Sequence, residues 1–157
     1  MNLFYGADKV VADFVAGIIW NDERRFDDDI RAIGVQDSKG ALVGGVVYHN
    51  WTPHAGTMEL SAGATSARWL TRRIVSYLLA YPFHGCGCQM LVGQTETSNE
   101  RDRKLMCGIG FRETHIPRLY GRDNDGILQT LTDDQWKAGA FYLKERDYGQ
   151  KFSSKAA

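Results

Sequence analysis

Residues 57–95 constrain the fold more than any other stretch of this chain. A β-prone run, Thr57 to Ala62, gives way to a helical period over residues 67–81, with Leu70, Ile74 and Leu78 on one side and Val75 and Leu79 beside them. Pro82 and Gly85 end that helix, and a second β-prone run, Met90 to Thr95, follows. A helix that crosses between two strands of one sheet returns the chain in the same direction. Met58–Ala62 and Met90–Thr95 are therefore expected to run parallel.

The elements on either side favour antiparallel pairing. Ala32–Gln36 and Ala41–His49 flank Asp37-Ser38-Lys39-Gly40, turn formers with a terminal glycine, which signal a hairpin. Together with the run from Thr57 they predict three antiparallel strands. Before them, residues 9–20 carry apolar pairs every fourth position (Val10/Val11, Phe14/Val15, Ile18/Ile19) behind Asp8 as N-cap. The charged stretch from Asn21 to Arg31 reads as solvated surface. Downstream, Thr97-Ser98-Asn99-Glu100 has capping-box spacing and opens a helix stopped by Gly108 and Gly110. Arg112–Tyr120 and Gly126–Leu131 predict a closing hairpin. Thr132 with Gln135 predicts a second capping box and a helix over residues 133–143, and the tail from Lys151 to Ala157 is expected to fray. The order is mixed α/β in one domain, residues 1–157.

Composition removes several classes of function. Lys plus Arg total 19 and Asp plus Glu total 19, so no global field favours nucleic acid or a membrane surface. No apolar run approaches the roughly 18 residues of a membrane span, and the first residues, Met1 to Tyr5, lack the pattern of a signal peptide. Three cysteines, Cys86, Cys88 and Cys107, are an odd number, which argues against a disulfide framework and for the cytoplasm. His49 with His54, and Cys86-Gly87-Cys88, fall short of a zinc ligand set, so no metal is expected. No Ser-His-Asp order occurs in a strand-turn-helix context.

The stretch from Leu78 to Phe111 resembles motifs A and B of the GNAT superfamily of N-acetyltransferases. Leu78-Leu79-Ala80-Tyr81-Pro82-Phe83 is similar to its helix ending in an aromatic-rich turn. Cys88–Glu96 follows as the strand, Asn99 opens the second helix, and Gly110-Phe111 closes it. The segment FRETHIPRLYGRDNDGILQTLTDDQW, Phe111 to Trp136, resembles the closing hairpin of the branch that includes ribosomal-protein N-terminal acetyltransferases. The resemblance implies a central twisted mixed sheet of about six to seven strands, mostly antiparallel with one parallel βαβ pair, flanked by helices.

It also implies a site. GNAT proteins seat the coenzyme A pyrophosphate on a strand-to-helix turn of the form Gln/Arg-x-x-Gly-x-Gly/Ala, where backbone N–H groups face the anion. Here that turn falls within Gly63–Thr71, with Ser66, Trp69 and Thr71 at the signature positions. Ala64, Ser66 and Ala67 keep the backbone approachable. Arg68, Arg72 and Arg73 suit either a phosphate or a solvated helix face, and Trp69 suits turn closure, adenine stacking or the core. Asn99 is implied as a coenzyme contact, or is a plain helix start. Arg103, one turn on, fits a phosphate or a carboxylate partner.

For chemistry, the resemblance puts Glu59 forward as general base, against a strand-edge carboxylate facing water. Tyr120 is put forward as general acid, against an ordinary hairpin aromatic. Met106 stands where many members carry the acidic Tyr, and Asp102 where some carry Ser. Trp20, Tyr48, Trp51 and His54 are candidates for the acceptor side. The expected activity is transfer of an acetyl group from acetyl-CoA to a primary amine by direct attack in a ternary complex. The acceptor is a protein N-terminus, a lysine or a small amine, with no nucleic-acid or membrane partner and with room for a homodimer. The alternative is a non-catalytic CoA-binding sensor or interaction module, which would bind coenzyme without turnover.

Overall fold

The computed structural model describes residues 1–153, with side chains through residue 151. Strand β1 (Asn2–Phe4) leads into α1 (Asp8–Trp20), then β2 (Arg31–Gln36), β3 (Leu42–Thr52) and β4 (Thr57–Ala64). Helix α2 (Arg72–Ala80) runs into a π-helical turn, Tyr81–Gly85, before β5 (Met90–Glu96). Helix α3 (Glu100–Ile109), strands β6 (Arg112–Ile116) and β7 (Gly126–Thr132), and helices α4 (Asp133–Ala138) and α5 (Glu145–Ser153) complete the chain. The strands form one seven-stranded sheet in the order β1-β2-β3-β4-β5-β7-β6. Among the described residues, only β4 and β5 pair in parallel. The expected fold class is the one observed.

Strand β3 shows how the sequence assigns the two faces of the sheet. A Cβ on Gly44 would meet the Trp69 ring at 2.3 Å, and one on Gly45 would meet Val11 at 2.6 Å. Adjacent residues of a strand face opposite ways. Gly44, Val46 and Tyr48 therefore look toward α2 and the main core, built around Ile74, Leu78, Leu91 and Leu131. Gly45, Val47 and His49 look toward α1, where a smaller cluster joins Val11, Val15 and Val47. The two glycines let an indole and a helix approach the same strand from opposite sides.

Several elements differ from expectation for definite reasons. The Asp8 carboxylate does not cap α1; it accepts from the Ala32 N–H at 2.8 Å and so joins the helix to β2. Val10 is 59% exposed, because α1 buries the narrower stripe Val11, Ala12, Val15 and Ala16. Helix α2 begins at Arg72, five residues later than the periodicity suggests, with Thr71 as its N-cap. Pro82 sits inside the π-helical turn and does not end the helix outright. The cap of α3 is Asn99, whose side chain accepts from Asp102 N–H, while the Thr97 hydroxyl is buried without a hydrogen-bond partner. The Thr132–Gln135 capping box is present, but α4 stops at Ala138 where Gly139 turns extended. Strand β1 and helix α5 escaped the periodicity altogether. Lys151 belongs to α5, its Nζ 3.1 Å from Tyr5 Oη, and the rest of the expected frayed tail, residues 154–157, lies outside the described residues.

Candidate active site

The parallel pair holds for only three positions, Thr57↔Met90, Met58↔Leu91 and Glu59↔Val92. Beyond Glu59 both strands continue without each other. β4 stays paired with β3 as far as Ala64, and β5 stays paired with β7 as far as Glu96. The sheet opens here into a V, and a cleft of about 1290 Å³ occupies it. Each strand keeps hydrogen bonds on its outer edge and turns its inner edge toward the opening, where backbone groups need another partner.

Glu59, Ser61 and His49 stand together at the point of parting, and all three line the cleft. His49 is the register partner of Glu59 across β3 and β4, just before a bulge between His49 and Thr52. Its Nδ1 lies 3.7 Å from Glu59 Oε2 and its Nε2 lies 2.9 Å from Ser61 Oγ. The Phe26 ring packs at 5.3 Å from the imidazole, and Trp20 packs on Phe26 at 4.6 Å. Burial lowers the His49 pKa from 6.5, with the Glu59 charge opposing it. The ring is accordingly neutral at neutral pH and able to accept a proton.

The opposite wall comes from β5, α3 and the β6–β7 connection. Tyr120 lines the cleft, and its pKa is raised by burial first and then by Glu96 and Asp102, so the phenol stays protonated. Gln129, 2% exposed, donates to Asp102 at 2.8 Å. Asn99 also faces the opening. Its amide donates to Thr95 Oγ1 at 3.1 Å while its oxygen caps α3.

The strand-to-helix turn is present but differently used. Residues Thr65 to Thr71 connect β4 to α2, and Thr71 Oγ1 accepts from Ile74 N–H. Ala64, Ser66, Ala67 and Arg68 lie along this connection, where Ser66 Oγ accepts from Arg68 N–H at 3.3 Å. Trp69 is 8% exposed and seated on Gly44, which makes it a core residue and not a coenzyme surface. The Arg72 guanidinium donates to Ala140 O at 2.7 Å and lies over Phe141, tying α2 to the segment after α4. Arg68 precedes the helix, so it does not share a helical face with Arg72. Arg103 holds Glu113 in a two-pronged pair, 2.9 Å at each contact, and donates to Thr97 O at 2.9 Å. Its carboxylate partner is thus Glu113.

Of the acceptor-side candidates, Trp20 and Trp51 line the cleft. Tyr48 faces the main core and donates to Leu78 O at 2.7 Å, and His54 is exposed away from the opening. His49 and Ser61 are the functional candidates that motif reasoning passed over. The pairing of β3 with β4 sets His49 opposite Glu59 only through the bulge before Thr52, where a regular hairpin count would place Asn50, and alternation adds Ser61. Among the described residues no cluster of three or more His, Cys, Asp or Glu is placed to hold a metal ion. No helix among them is long and apolar enough to cross a membrane.

No protein-family model and no curated protein sequence matches the chain. Solved structures do. A chimera of the Vibrio cholerae spermidine N-acetyltransferase SpeG with hSSAT superimposes with a TM-score of 0.72 at 14% identity, covering 88% of this chain and 100% of that one. The Vibrio cholerae spermidine N-acetyltransferase in its dodecameric, intermediate state gives 0.68 at 16% identity, over 88% and 96%. A probable acetyltransferase gives 0.59 at 19% identity, over 70% and 64%. None of these three supports the ribosomal-protein branch to which the closing hairpin is similar. The chain has the fold of the GNAT N-acetyltransferases: a seven-stranded, mostly antiparallel sheet opened at the parallel pair β4–β5.

Proposed function

We propose that the chain is an N-acetyltransferase that moves an acetyl group from acetyl-CoA to a primary amine by direct attack in a ternary complex. The observation that carries this reading is the parting of β4 and β5 immediately after Glu59↔Val92. It gives an extended ligand two backbone edges to lie between, with the polar cluster at the vertex. Acetyl-CoA supplies the activated acyl group. The inner edge of β4 offers N–H groups that can polarise a carbonyl, and Thr65–Thr71 with the start of α2 offers more to a pyrophosphate. Tyr120, held protonated, is suited to return a proton to a leaving thiolate.

The acceptor we infer is a small cationic amine. Asp27, Asp29, Glu59, Glu96 and Asp102 line the cleft. Against these five carboxylates the rim carries two arginines, Arg24, 4.5 Å over Trp20, and Arg25, which pairs with Asp22 at 3.1 Å. The remaining field draws in a cation, and spermidine is the acceptor named for the structures this fold matches. The buried Trp69 and committed Arg72 favour the second reading, a coenzyme-binding module without turnover. Titration with acetyl-CoA, followed by incubation with di- and polyamines, peptides with free N-termini and lysine peptides, decides between them. Mass addition of one acetyl group to a polyamine is expected. Binding without product supports the module, and no binding removes both.

A further inference from the structure

Acetyl transfer leaves the attacking nitrogen with a proton to lose, and the vertex of the V holds three groups arranged to take it. His49, Glu59 and Ser61 share the face of the sheet that looks toward α1. His49 comes from β3 and the other two come from alternate positions of β4. An imidazole accepts only through the nitrogen that carries no hydrogen. With Ser61 Oγ 2.9 Å from Nε2, the hydroxyl donates to Nε2 when the ring proton sits on Nδ1. Nδ1 is the nitrogen that faces the Glu59 carboxylate, at 3.7 Å. That separation is beyond a hydrogen bond, but the charge favours the Nδ1–H tautomer and the imidazolium that follows. The same logic orients the histidine of a serine-protease triad.

We propose that His49, acting through the Ser61 hydroxyl, receives the proton of the acceptor amine, with Glu59 as the carboxylate that positions the ring. This deepens the acetyl-transfer reading above and rests on it. The ammonium of the acceptor first gives one proton to water, which frees its lone pair; as the N–C bond forms, the next proton passes to Ser61 Oγ and the hydroxyl's own proton passes to His49 Nε2. The thioester C–S bond breaks with its electron pair on sulfur, which takes a proton from Tyr120. The imidazolium then releases its proton to water, and solvent reprotonates Tyr120. Burial keeps the ring neutral before the step. The charged and titratable groups facing this site are Glu59 from β4; Arg24, Arg25, Asp27 and Asp29 from the segment after α1; and Glu96, Asp102 and Tyr120 across the cleft.

Three variants of the full chain test the relay. His49→Gln should lower kcat by roughly 10²-fold or more, the usual worth of a general base, with acetyl-CoA affinity unchanged. Ser61→Ala should lower it less, since a water can substitute for the hydroxyl. In the wild type kcat/KM should fall on the acid side of pH 6.5, as His49 protonates. His49→Gln should abolish that limb, and Glu59→Gln should keep it but move it to lower pH, because the imidazolium loses its stabilising charge. The reverse pattern, a limb abolished by Glu59→Gln and kept by His49→Gln, makes Glu59 the base and overturns the proposal. Nitrogen-15 NMR of the free protein supplies a readout independent of turnover. A neutral Nδ1–H ring at pH 7.5 is expected, and an Nε2–H ring or an imidazolium sinks the relay. Acetylation that survives His49→Gln removes the relay alone, whereas a wild type that acetylates no amine removes the acetyl-transfer reading and the relay with it.

Discussion

The two sides of strand β3 differ in what they ask of their residues. Gly44, Val46 and Tyr48 look into a core where the space is filled to contact and the Tyr48 hydroxyl has its acceptor on Leu78. Gly45 and Val47 pack under α1, but His49, two positions on, emerges at the vertex of the cleft beside Phe26, Glu59 and Ser61. The same alternation that builds a core on one side delivers a titratable ring to solvent-accessible space on the other. Stability and chemistry thus occupy opposite faces of one strand, and substitutions can separate them.

The largest effect is expected from Ile74→Ala, which empties a position 1% exposed on α2. It should cost about 2–5 kcal/mol in urea unfolding, while the pH profile of any surviving activity keeps its shape. Gly44→Ala comes next. Its Cβ would fall 2.3 Å from the Trp69 ring, which must move, at about 1–3 kcal/mol. A loss near zero would show that Trp69 is loosely seated and could still turn toward a ligand. Tyr48→Phe removes one buried hydrogen bond and should cost about 1 kcal/mol by the same measurement.

The smallest effect belongs to the other face. The folded pKa of His49 lies below the unfolded 6.5, so the unfolded chain binds more protons in the window between them. Its contribution to stability is complete above pH 6.5 and is lost as pH falls through that window. Unfolding free energies at pH 7.5 and pH 5 should therefore differ less in His49→Gln than in the wild type. An unchanged difference would place the histidine outside the buried, proton-sensitive environment that its neighbours imply.

Much of this was legible in the sequence because the signals were local. The parallel pair followed from strand, helix and strand in succession, and the Thr132–Gln135 capping box from two residues three apart. The misreadings arose where a distant partner decided the outcome. Arg72 suited either a phosphate or a solvated helix face, and its guanidinium donates to Ala140 O, 68 residues away. Trp69 stood at a position where the GNAT phosphate turn it resembles carries a small residue, and the glycine opposite it on β3 explains its burial. His49 was weighed as a metal ligand with His54. The bulge after His49 breaks the simple hairpin count that would have aligned it with Glu59.

The parting of the two central strands also has a consequence for amide hydrogen exchange. Thr57 and Glu59 are paired on both edges, whereas Leu60–Ala64 are paired with β3 alone. In the free protein, amides that point from this second half into the cleft sit beside solvent in the middle of the sheet, where exchange is ordinarily slowest. β4 should therefore show an abrupt step in protection at residue 60, within a single continuous strand. A ligand lying along the inner edge would act as the missing strand and erase that step, so the exchange rates of alternate residues in Leu60–Ala64 trace how far into the V it reaches.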